Sequence, residues 1–117
     1  EAGRLFLFGE QLYLMPEHMP ATRRLHVLRP GLHLGTVKKN RLEPAHALAL
    51  AISPQEACHS WNLSVDEARA YLAGQTFPAE GEKGWYLITV DGYSLGWGKL
   101  AGFVMKNHYP KGLRKLL

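Results

Sequence analysis

The 117-residue chain has a single cysteine, Cys58, so no internal disulfide can form and no CxxC partner is available for a zinc site. A reducing, cytoplasmic setting is the expectation. Its longest apolar runs, such as Ala47–Ile52, fall far below the roughly 18–20 residues that cross a bilayer, so no membrane span is expected. Glu1–Gly9 lacks the positive start, apolar stretch and small-residue cleavage site of a secretory signal, and the missing initiator Met points to a fragment or processed chain. The histidines His18, His26, His33, His46, His59 and His108 show no HxxxH or HExxH spacing, so no metal is expected. Ser60 and Ser64 have no GxSxG context, and Cys58 beside His59 reads as a small buried hydrophobe on a short helix rather than a nucleophile.

Acidic residues are missing from two stretches, and this absence is informative. Arg23 to Arg41 holds six basic residues (Arg23, Arg24, Arg29, Lys38, Lys39 and Arg41), and Lys99 to Leu117 holds five (Lys99, Lys106, Lys111, Arg114 and Lys115). All ten acidic groups lie elsewhere, with three basic ones. If folding joins the two segments, eleven positive charges form the footprint of a phosphate backbone. The competing reading is a solvated face, with the Lys38-Lys39 pair protecting an edge strand. Asn107, His108 and Tyr109 interleave with the second segment, and such side chains stack on or hydrogen-bond to unpaired bases.

What is present suffices for a core. Apolar residues make up 46 % and charged residues 21 %, which excludes a disordered chain and fits one ordinary domain. Leu5–Phe8 and Gln11–Met15 flank Gly9-Glu10 as a first hairpin. Arg29-Pro30-Gly31 reads as a type II turn before a strand, Leu32–Lys38. Pro44 at a first helical position predicts a helix over 44–51. Ser53-Pro54-Gln55-Glu56 and Ser64-Val65-Asp66-Glu67 are capping-box patterns that predict two more, the last ending at Gly74. Their acidic first turns suit the helix dipole, so Glu56, Asp66 and Glu67 need no catalytic explanation.

Trp85–Val90, Asp91-Gly92 and Tyr93–Lys99 give the clearest hairpin, and a last strand lies near Phe103–Lys106. The order predicts an α+β fold, a compact mixed β barrel with three short helices, and gives no support to a parallel βαβ sheet. The chain forms one domain or two coupled subdomains, 1–52 and 53–117, with a seam near Ser53.

Gly92, Gly96, Gly98 and Gly102 lie in a hairpin arm rather than before a long helix, so bulges or close approaches are expected, not a dinucleotide or S-adenosylmethionine loop. Trp61 and Trp85 read as core or barrel-closing residues. Trp97, between glycines and close to Lys99, stays open as a stacking platform.

Two strings, RPGLHLGTVKKNRLEPAHALALAI from Arg29 and GWYLITVDGYSLGWGKLAGFVMKNHYPKGLR from Gly84, closely resemble the C-terminal region of RsmF-type methyltransferases. These belong to the Nol/Nop/Sun group, which methylates carbon-5 of cytosine in ribosomal RNA. The resemblance implies a PUA-like RNA-binding part that follows a catalytic domain absent from this chain. It implies S-adenosylmethionine as the parent enzyme's cofactor and none in this segment, with ribosomal RNA and the chain's own catalytic domain as partners. Cys58 matches none of the family's catalytic motifs, so no catalytic residue is carried over. Lys38, Lys39 and Arg41 fall in the first string, and Lys99, Lys106, Asn107, His108, Tyr109, Lys111 and Arg114 in the second. Their contacts with RNA are inferred from residue chemistry. The competing function is a structural module that packs against the catalytic domain or a ribosomal protein.

Overall fold

The computed structural model describes residues 3–16 and 31–114. The loop bracketed by Pro16 and Pro20, the stretch Arg23–Leu28, the Arg29-Pro30 turn and Lys115 lie outside the described residues. The chain divides into two compact units, Glu1–Leu48 and Ala49–Leu117.

The first unit is an antiparallel sheet in the order β1 (Gly3–Phe8), β2 (Gln11–Pro16), β3 (Leu32–Lys38), β4 (Arg41–Pro44). The expected first hairpin forms, with Phe8 opposite Gln11 across Gly9-Glu10. A second hairpin joins β3 to β4 through Lys39 and Asn40, whose φ values of 35° and 68° are those of a turn that follows the strand twist. Gly35 is required in β3 because a β-carbon there would collide with the Glu43 carbonyl on β4. Pro44 ends edge strand β4 instead of opening a helix, since an edge position tolerates its missing N–H. The helix α1 begins two residues later, at His46, and runs to Ala51.

The second unit holds β5 (Ser60–Leu63), α2 (Val65–Leu72), β6 (Phe77–Pro78), β7 (Gly84–Val90), β8 (Tyr93–Ala101) and β9 (Val104–Asn107). Its strands form one mixed sheet in the order β5-β7-β8-β9-β6. The sheet has two edges, so the expected barrel is realised as a curled half-barrel. The β7–β8 hairpin turns at Asp91-Gly92, with φ of 49° and 81°, as the Asp-Gly pair predicts. Leu63, Tyr86, Ile88, Leu100 and Met105 of the sheet form the core together with Tyr71 of α2.

Two expectations are corrected. The described residues contain two α-helices rather than three, because the Ser53 box opens only a single 3-10 turn, Pro54–Glu56. Ala57 is already extended at φ −85° and ψ 146°, and the His59 carbonyl accepts from Leu87 N–H at 2.9 Å. Sheet pairing thus takes backbone groups that a longer helix would have used. The segment then enters β5, which pairs parallel with β7, a parallel crossover that the strand pattern does not show. Cys58 accordingly lies on this link and is exposed, not a buried helical residue.

Candidate nucleic-acid interface

In the second unit the sheet presents its other face through Trp85, Lys99 and Lys106. Trp85 stands opposite Lys99 on β8, and Lys99 opposite Lys106 on β9, so the three form a row across the strands. The Lys99 ammonium lies 5.2 Å from the Trp85 ring centroid, and the His108 ring meets Trp85 edge-on at 4.6 Å. A tryptophan face attracts an ammonium through its ring quadrupole, so Lys99 is held in place.

The second predicted string splits by direction. Lys106, His108 and Lys111 are exposed, whereas Asn107, Tyr109 and Arg114 are half-buried. Asn107 donates its amide protons to the carbonyls of Tyr71 (2.8 Å) and Gln75 (2.9 Å), closing the C-terminal end of α2. Its carbonyl accepts from Tyr109 N–H at 2.9 Å and from Arg114 Nη2 at 3.4 Å. Arg114 also donates from Nε to the Tyr109 carbonyl at 3.2 Å. The Tyr109 ring packs 5.5 Å from that of Tyr71. These three residues hold the tail against the fold, and a cation beside the carbonyl end of α2 is electrostatically favoured.

Tyr71 anchors the arrangement from below. Its hydroxyl donates to the Trp97 carbonyl at 2.8 Å, tying α2 to β8. Burial, with Tyr109 as the second cause, pushes its phenol well above the usual tyrosine range, so it stays a neutral donor.

In the first unit Lys39 and Arg41 are exposed around the β3–β4 turn. Lys38 is exposed too and pairs across the hairpin with Glu43 at 2.9 Å. Such a surface pair adds little stability and lowers the positive charge offered there. The basic residues predicted as one patch are thus distributed over both units, and each group is a feature of its own unit.

The tryptophans exchange the roles expected of them. Trp97 is 7 % exposed and offers no platform, while Trp85 lies among the cations. A register shift between Ile88 and Thr89 sets Trp85 opposite Lys99. Gly98 makes close packing rather than a phosphate cradle: a β-carbon there would stand 2.9 Å from Met105 Cγ and 3.1 Å from Ile88 Cδ1. Among the described residues no group of three His, Cys, Asp or Glu could hold a metal ion, and no helix is long and apolar enough to cross a membrane.

Two family models match the chain in succession, the RsmF rRNA methyltransferase first C-terminal domain over residues 1–52 and the methyltransferase RsmF PUA domain over residues 58–115. Among curated proteins, ribosomal RNA small subunit methyltransferase F of Vibrio cholerae serotype O1 is 26 % identical over 114 residues, covering 95 % of this chain and 24 % of the relative. The same-named protein of Aeromonas hydrophila is 28 % identical over 114 residues, with the same coverage, and that of Psychromonas ingrahamii is 25 % identical over 119 residues, covering 95 % of this chain and 25 % of the relative. The chain spans about a quarter of the length of these relatives.

Proposed function

Because the chain belongs to the C-terminal region of the RsmF-type rRNA methyltransferases, we propose that it docks ribosomal RNA for the catalytic domain of a longer protein, acting in the cytoplasm. On this reading that domain transfers the methyl group of S-adenosylmethionine to carbon-5 of a cytosine, and the present chain binds substrate without catalysing. The carrying observation is the division within Lys106–Arg114. Asn107, Tyr109 and Arg114 lock the tail, Lys106 and His108 stay exposed beside the Trp85–Lys99 pair, and Lys111 is exposed further along the tail. A rigid row of cations suits a phosphate backbone because its positions are set before binding.

Lys99, Lys106, His108 and Lys111 are the RNA contacts proposed in the second unit, with Lys39 and Arg41 in the first and Lys38 weakened by its Glu43 partner. Asn107, Tyr109 and Arg114 act by positioning. The test is equilibrium binding of small-subunit ribosomal RNA fragments to the wild-type chain and to Lys106→Glu/Lys111→Glu. Retention of wild-type affinity by a folded double variant would remove the basis for this assignment.

A second reading concerns the first unit. Leu5 and Leu7 on edge strand β1 are 63 % and 58 % exposed, which favours packing against the catalytic domain. Binding of the separately expressed remainder of the protein, abolished by Leu5→Glu/Leu7→Glu, tests it.

A further inference from the structure

At the tip of the β8–β9 hairpin, Gly102 and Phe103 occupy the turn with φ of 60° and 64°. Glycine and asparagine fit this left-handed conformation readily, whereas a phenylalanine backbone is strained there. Burial does not compensate the strain, because Phe103 is 74 % exposed. The tip is nonetheless fixed, since the Phe103 carbonyl accepts from Ala79 N–H at 3.0 Å. Beside the ring opens a cleft of about 150 Å³, walled by Ala79, Gly81, Leu100 and Ala101, with Lys83 as the charged residue of its lining. The neighbouring carboxylate of Glu82 pairs with His59 at 3.3 Å. Two residue pairs back from the tip register, Lys99 and Lys106 face each other, about 7 Å along the strands.

We propose that Phe103 and this cleft form a stacking site for one unpaired RNA base, with Lys83, Lys99 and Lys106 taking the flanking phosphates. The proposal rests on the RNA-docking reading and narrows its ligand from RNA in general to RNA with an extruded nucleotide. An exposed aromatic ring on an anchored turn, with one lysine in the adjoining cleft and two along the strands behind it, offers what a single base requires: a π-face to stack on and charge for the backbone around it. A paired stem offers no such base.

The test uses the 117-residue chain and two fluorescein-labelled RNA duplexes, one with a single bulged adenosine and one fully paired. Wild type should prefer the bulged RNA. Phe103→Gly removes the ring and relieves the backbone, so it should melt no lower than wild type yet bind the bulged RNA roughly tenfold more weakly, with the paired duplex unaffected. Phe103→Asn, which also tolerates the left-handed turn, should do the same. Equal affinity of wild type and both variants for the bulged RNA would overturn the site, as would equal losses on both RNAs. If those variants keep RNA affinity but no longer bind a protein partner, the tip is a protein-docking site and the proposal fails while the RNA-docking reading stands. If wild type binds neither RNA, both fall together.

Discussion

Arg114 lies across Gly74, so close that a β-carbon on the glycine would stand 2.7 Å from Arg114 Cδ and 2.9 Å from Nε. Gly74 holds φ of 99° where α2 ends, and its N–H donates to the Tyr71 carbonyl at 2.9 Å. Gly74→Ala therefore combines a left-handed strain with displacement of the tail. It should cost about 1–2 kcal/mol in thermal or urea unfolding, whereas Gly92→Ala in an exposed turn, with nothing near its β-carbon, meets only the strain.

Asn107→Asp distinguishes a structural clamp from a base reader. The carboxylate keeps the size of the amide but removes both protons given to Tyr71 and Gln75, and sets negative charge at the carbonyl end of α2. A destabilisation of about 1–2 kcal/mol is expected from the two lost bonds, with the Tyr71 carbonyl keeping its Gly74 donor, and from the unfavourable dipole. A residue serving only RNA would leave the melting temperature unchanged and lower affinity alone.

Alkaline unfolding should report Tyr71. Its phenol is raised above its usual value of 10 by burial and by Tyr109, so the folded state holds the proton more tightly than the unfolded one. That contribution is complete below pH 10 and fades as pH climbs toward the folded value. Tyr71→Phe should cost about 1 kcal/mol at neutral pH by removing the bond to Trp97, and should flatten the fall in stability above pH 10 in denaturant titrations.

The two serine caps should differ. Ser64 Oγ accepts from Glu67 N–H at 3.2 Å and Glu67 reaches back to Ser64 N–H at 2.8 Å, at the head of an eight-residue helix. Ser64→Ala should lower stability by about 1 kcal/mol. Ser53→Ala stands before a three-residue turn, where the Glu56 carboxylate accepts from Ser53 N–H at 2.7 Å through a bond that the substitution leaves in place. It should cost less than half as much by the same measurement.

The two caps also mark how far local chemistry reaches. Gly9-Glu10 and Asp91-Gly92 announce their hairpins because the turn chemistry is local, and the Ser64 box announces α2 for the same reason. The Ser53 box carries the same letters, but the fate of residues 57–63 is set by pairing with β7, a partner some 27 residues away in register. The site shows the same limit. Basic residue types point to RNA, yet the roles of Asn107 and Arg114 depend on the end of α2, which no pattern within Lys106–Arg114 encodes. The place of Trp85 among the cations is hidden by a single-residue register shift at Ile88 and Thr89, since one slipped residue exchanges the faces of a strand.

Whether Lys106 and Lys111 meet phosphates while their neighbours hold the tail is decided by the salt dependence of RNA affinity. Log affinity against log salt concentration should fall linearly for the wild-type chain, and Lys106→Glu/Lys111→Glu should shallow the slope by roughly 0.7–0.9 for each phosphate no longer neutralised, with an unchanged melting temperature. Identical slopes and affinities in wild type and double variant would show that these lysines do not bind the RNA backbone.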